Sequence, residues 1–166
     1  MSEANRFLIR AEAIEKLQEA AFQHPLNPNS EIYLRSLSAL VGLQRLILSV
    51  GRVPPGKESF IYHAHHHEEE FVFILSGRGI AEIQDEEFEV AAGDFLGFPA
   101  ASVAHHLRNP FETDLVYLMG GERQAMEIGD FPRLNKRAIR DGKEAYIIDL
   151  DSIQPFTSRW EDKNAT

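Results

Sequence analysis

Apolar and polar residues alternate with a period near two over most of this chain, in short runs cut by glycine, proline and asparagine. That rhythm predicts strands. Glu31 to Leu37 and Leu43 to Val53 are the first two, the second with Leu43, Arg45 and Ile47 on one face and Leu46, Leu48 and Val50 on the other. After the Pro54-Pro55-Gly56 turn, Ser59 to His65 reads as a further strand, and Phe71 to Leu75 follows it. Ile80 to Ile83, Phe88 to Val90, Phe95 to Phe98, Ala104 to Leu107 and Leu115 to Met119 complete the series, separated by Asp-Glu, Gly-Asp and Asn-Pro breaks. Gly77 and Gly79 read as turn glycines, where positive φ carries no steric cost. One helix is predicted over Ala11 to Phe22, with Ile14, Leu17, Ala21 and Phe22 as its apolar stripe, ended by the prolines of His24-Pro25-Leu26-Asn27-Pro28. A last apolar run, Ala145 to Leu150, predicts an edge strand or a packed extension.

The whole pattern predicts one all-β domain, a barrel or sandwich of short strands. Residues 1–42 form its N-terminal helix and first strand, 43–120 the β core, and 121–166 a C-terminal extension packing on it. Phe71, Phe73 and Leu75 line one side of a strand whose other side, Val72 and Ile74, is also apolar. Both sides must be covered. The outer cover is either the terminal segments or a second subunit, so a homodimer is expected.

Composition narrows the partners. Seventeen Lys and Arg against 26 Asp and Glu give a net charge of −9, which opposes binding to nucleic acid or anionic lipid. No uninterrupted apolar stretch predicts a signal peptide or a membrane span, so a cytoplasmic location is expected. The chain has no cysteine, so any metal must be held by nitrogen and oxygen.

Candidate chemistry concentrates in His63-Ala64-His65, Glu70 and the distant His105. Two histidines two residues apart on a strand point to the same side. Glu70 lies an odd five residues after His65, so a turn or bulge must reset the register between them. His66, His67, Glu68 and Glu69 are polar enough to occupy such a break, and Glu70 then faces with Val72 and Ile74. His67 is an alternative to His63, since it also shares parity with His65. The run can equally be a solvated loop. His66 and His106 read as residues supporting a site or facing solvent, and His24 as a surface residue. Arg45 either caps a carboxylate or meets an anionic ligand inside the fold.

These residues fall into two blocks, His63, His65, Glu70 and Gly77, then Gly93, Pro99, His105 and Asn109. In this respect the chain resembles the cupins, over roughly Leu43 to Met119. It departs from their pattern where Ala101 replaces a glycine after Pro99, where one extra residue precedes His105, and where Gly56 sits one residue too far upstream. The resemblance implies a small antiparallel β-barrel of jelly-roll type with a metal in its mouth, held by His63, His65, Glu70 and His105. Three imidazoles and a carboxylate favour one divalent transition metal, Fe²⁺, Mn²⁺, Ni²⁺, Zn²⁺ or Cu²⁺, over Mg²⁺ or Ca²⁺. The function expected is that of a metal-dependent enzyme of isomerase, lyase or dioxygenase type acting on a small polar organic molecule. The alternative is a non-catalytic protein that binds or senses such a molecule. No general base is identifiable from the sequence.

Overall fold

The computed structural model of the chain describes residues 3–101 and 103–154; the end of the expected C-terminal extension, 155–166, lies outside them. In chain order the strands are β1 (Ala20–Phe22), β2 (Ile32–Ser36), β3 (Leu46–Val53), β4 (Lys57–Glu58), β5 (Ala64–His65), β6 (Glu70–Ser76), β7 (Arg78–Ile83), β8 (Glu86–Ala91), β9 (Phe95–Phe98), β10 (His105–Asn109), β11 (Leu115–Glu122), β12 (Met126–Phe131), β13 (Lys136–Asp141) and β14 (Glu144–Asp149). They pair antiparallel into three sheets, ordered β1-β2-β3-β11-β6-β9, β4-β10-β7-β8 and β14-β13-β12-β5.

The core lies between the first two sheets. Ile32, Val53, Val72, Ile74, Leu115 and Tyr117 of the six-stranded sheet meet Ala81, Val90 and Leu107 of the second. Alternation along each strand places these residues inward. Gly51 makes room for the large Tyr117, since a Cβ there would lie 2.9 Å from its ring. The expected closed barrel is not formed, because no hydrogen-bonded ladder joins the sheets edge to edge among the described residues. The strands pack face to face as open sheets instead.

Three local expectations are corrected. The helix over Ala11 to Phe22 is only α1, Ala11–Glu15, which buries none of its residues. So short a helix has no packing to sustain it. Ala20–Phe22 instead pairs with the open edge of β2, where Phe22 meets the Phe60 ring at 5.4 Å. Ser59 to His65 is not one strand: the Asn27 side chain donates to the Phe60 carbonyl (2.8 Å) and Ser30 to the Ser59 carbonyl (2.6 Å), drawing backbone acceptors away from a ladder. Arg45 precedes β3 and is exposed, so its side chain does not enter the interior. The expected strand from Leu43 begins only at Leu46, after a short helix over Ser38–Val41 that Gly42 ends at φ +78°.

Of the two turn glycines expected, only Gly77 has positive φ, +80°, and a Cβ there would lie 2.1 Å from the Asp114 carbonyl oxygen. Gly79 lies inside β7, where its role is close approach: a Cβ would meet Leu115 at 2.6 Å. Gly93, at φ +98°, has nothing within 4 Å of that position. Gly77→Ala is therefore expected to destabilise by more than the roughly 1–2 kcal/mol of left-handed backbone strain, and Gly93→Ala by about that strain alone. Urea unfolding of the two variants checks this, and equal midpoints would refute it.

Candidate metal centre

His63 and His105 form an isolated antiparallel bridge, with each main-chain N–H donating to the other's carbonyl at 3.0 and 2.8 Å. The bridge sets their rings side by side, 4.6 Å between centroids. Two residues on, His65 returns to the same side, its Nε2 3.1 Å from that of His63. Glu70 opens β6 between Phe98 and Gly121, sharing an inner face with Val72 and Ile74. Its Oε2 lies 3.2 Å from Nε2 of His65, 3.2 Å from Nε2 of His105 and 3.9 Å from Nε2 of His63. One nitrogen or oxygen from each of the four residues therefore falls within 4.8 Å of the others. Such a group can hold a metal ion.

The outer ring nitrogens are also engaged. Nδ1 of His63 faces the Ile61 carbonyl at 2.6 Å, Nδ1 of His105 the Val103 carbonyl at 3.2 Å, and Nδ1 of His65 the Glu127 carboxylate at 3.3 Å. With protons on these Nδ1 atoms, all three Nε2 lone pairs point into one volume. Phe98 stacks on His105 at 3.7 Å between centroids and 6° between planes, covering one side. Burial, reinforced by neighbouring His105, holds His63 neutral, its pKa lowered to about 3. Burial works to raise the Glu70 pKa, but in the metal-free cluster the adjoining His105, His65 and His63 rings, free to share protons with it, outweigh burial and hold the carboxyl well below its usual range. A neutral imidazole beside an ionised carboxylate is the protonation state a divalent cation requires.

The break predicted between His65 and Glu70 spans His66–Glu69 and is tightly held. Glu127 of β12, itself buried, accepts from the main-chain N–H of His66 (2.9 Å) and of His67 (3.2 Å). Glu68, also buried, pairs with Arg140 and accepts from Gln124 N–H at 2.6 Å. From the sequence Glu68 was placed in this break, but neither Glu127 nor Arg140 was given a part in the site. A charged residue between Met126 and Ile128 was the available signal for Glu127. The alternative ligand His67 stays outside the cluster, half exposed, with Nδ1 3.5 Å from Glu127. His66 pairs with Asp130 at 2.8 Å. His106 is not solvent-facing: its side chain is buried 3.6 Å from Glu58. His24, expected at the surface, is half-buried edge-on against Phe131. Asn109 is a structural residue, donating to the Val53 and Thr113 carbonyls and accepting from Phe111 N–H. Ala101 adopts φ +58° where the cupin pattern has glycine.

Among the described residues, the larger openings to the cluster lie on its Glu70 side. An inner cavity of about 30 Å³ touches His63, Glu70 and His105 and extends to Tyr117 and Met119. That is room for about one or two waters. A cleft of about 400 Å³ reaches the cluster at Glu70 between Phe71, Phe95 and Leu46, and another of about 150 Å³ reaches it at His65 and Glu70.

Packed antiparallel sheets with three histidines and one glutamate converging between them define the class of small β proteins with a metal-competent cavity. A cupin-domain family model matches residues 49–131, and the chain belongs to the cupin family. A proposed sugar phosphate isomerase from Acidithiobacillus ferrooxidans is 33% identical with a TM-score of 0.90, over 94% of this chain and all of that one. A cupin-superfamily sugar phosphate isomerase from Silicibacter pomeroyi shares the fold at 22% identity and a TM-score of 0.77, over 91% of this chain and 97% of that one. An uncharacterised protein of Methanocaldococcus jannaschii is 37% identical over 57 residues, 34% of this chain and 44% of that protein's length. Among the described residues no helix is long and apolar enough to cross a membrane.

Burial of His63 ties the stability of the metal-free fold to pH. The folded His63 pKa of about 3 lies below the unfolded value of 6.5, so the unfolded chain binds more protons between these limits. Stability then rises with pH in that window and is lost as pH falls through it. Metal-free protein followed by chemical denaturation is expected to lose stability from pH 6.5 toward 3, and His63→Asn to lose less. An identical slope in the variant would refute the assignment.

Proposed function

We propose that His63, His65, Glu70 and His105 hold one divalent transition metal, Fe²⁺, Mn²⁺, Ni²⁺, Zn²⁺ or Cu²⁺. The protein would use it as an enzyme of isomerase, lyase or dioxygenase type on a small polar organic molecule. The observation that carries this reading is the convergence of three imidazole nitrogens and one carboxylate oxygen within 4.8 Å. The name of the Acidithiobacillus relative favours the isomerase branch. When bound, such an ion supplies Lewis acidity to an oxygen of the substrate.

The chain's own residues provide the rest. Phe98 and the narrow inner cavity keep bulk water from the His105 side, so a molecule larger than a few atoms enters beside Glu70 and His65. There Phe71 and Phe95 offer apolar contact, and Glu69 and Glu122 share both clefts with Glu70. Proton transfer to or from the bound molecule falls to one of these two carboxylates. Tyr117 is an unsuitable base, because burial pushes its phenol pKa far up and the hydroxyl stays protonated.

We also infer a homodimer. Phe73, Leu75 and Phe95 leave 37%, 45% and 65% of their surfaces exposed along β6 and β9. A continuous apolar strip of this kind is the surface a second copy would cover.

Replacing His105 with Ala is expected to reduce the metal content of purified protein several-fold while the far-ultraviolet β spectrum is retained. Elemental analysis checks it, and unchanged stoichiometry would sink the ligand assignment. For the dimer, sedimentation at micromolar concentration should give about twice the 18.8 kDa chain mass. A clean monomer would refute it.

A further inference from the structure

Each of the three clustered histidines needs its proton on Nδ1 if Nε2 is to present a lone pair, and each Nδ1 needs an acceptor to keep it there. For His63 and His105 that acceptor is a main-chain carbonyl two residues back, Ile61 and Val103. No side-chain substitution removes a carbonyl. For His65 the acceptor is a side chain, the Glu127 carboxylate, from a strand 62 residues further on. It is the only one of the three orienting contacts that rests on a residue's chemical identity.

The same carboxylate does more than face one ring. It is 5% exposed, and the groups approaching it are nitrogens from three consecutive residues. Oε1 accepts from His66 N–H at 2.9 Å and lies 3.3 Å from Nδ1 of His65, while Oε2 accepts from His67 N–H at 3.2 Å. His66 N–H is shared with the Ile128 carbonyl of the same strand, at 3.0 Å. A carboxylate has the lone pairs to accept on both oxygens at once. It thereby fixes the direction of the His65 ring and the first half of the break that carries the chain to Glu70.

We infer that Glu127 is a positioning residue for the candidate metal centre: it holds His65 in the tautomer and orientation that point Nε2 at the cluster, and so makes β12 part of the site. This rests on the metal-binding reading above. A glutamine at 127 keeps the shape but not the chemistry. Whichever way its amide turns, an NH₂ group meets donors that the carboxylate satisfied.

The test pairs two measurements on full-length wild type, Glu127→Gln and Glu127→Asp. Zn²⁺ affinity by competition with a chromophoric chelator is expected to fall about 10–100-fold in Glu127→Gln, the usual effect of losing a partner to a ligating histidine, and to recover in part in Glu127→Asp. Long-range ¹H–¹⁵N spectra of the metal-free proteins are expected to show His65 protonated at Nδ1 in wild type and that Nδ1–H depleted in Glu127→Gln. The His63 and His105 tautomers should not change. A structural role alone would not move one ring and spare the other two. Should Glu127→Gln fail to fold by circular dichroism, Glu127→Asp carries both measurements, with a smaller loss of affinity and a partial tautomer shift expected. Wild type that binds no Zn²⁺ overturns the metal reading, while the His65 tautomer still decides the role of Glu127. Zn²⁺ affinity within about twofold of wild type, together with an unchanged His65 tautomer, overturns the inference.

Discussion

The break in the chain between His65 and Glu70 is the constraint on which the site depends. Strand geometry alternates side chains between faces, so residues five apart on an unbroken strand would point in opposite directions. Four residues of irregular backbone, His66 to Glu69, reset that alternation and bring the glutamate round to the histidines. Fixing four residues costs about 4–8 kcal/mol of backbone entropy. A hydrogen bond to a charged group contributes about 1.5–3 kcal/mol, so a single contact would not hold the segment. The protein supplies several, from two buried glutamates, Glu127 and Glu68, and from Arg140.

Electrostatics follow from this packing. Burial keeps His63 neutral, and the histidines around Glu70 keep its carboxylate ionised, so these two side chains are in the form a cation requires. The same packing makes the cluster asymmetric. Its His105 side is filled by Phe98 and backed by a cavity of about 30 Å³, and its open side lies at Glu70 and His65. The walls of the outer clefts, where aromatic rings and carboxylates adjoin, therefore border the approach to the cluster.

Strand positions were largely legible in the sequence because alternation is a local property: Phe71 to Leu75 and Leu115 to Met119 lie within β6 and β11. Errors arose where a competing partner lay far along the chain. The apolar residues of Ala11 to Phe22 have helical spacing, yet the open edge of β2 takes Ala20–Phe22 as a strand. Ser59 to His65 has strand composition, yet side chains from the Asn27 and Ser30 loop capture its carbonyls. Gly79 has the look of a turn glycine, but the approach of Leu115 explains it.

By itself the sequence determined the shared side of His63 and His65 and the register break before Glu70, because these are statements about strand pleat, while the resemblance to the cupins joined His105 to them and preferred His63 over His67. It also restricted any metal ligands to nitrogen and oxygen, since there is no cysteine. Only the tertiary structure decided what orients those residues and from which side they are reached. Glu127 is 62 residues from His65, and no local pattern ties a carboxylate on one strand to an imidazole on another. The open sheets in place of a closed barrel are a tertiary result for the same reason: side-chain alternation specifies which face of a strand is buried, not which edges meet.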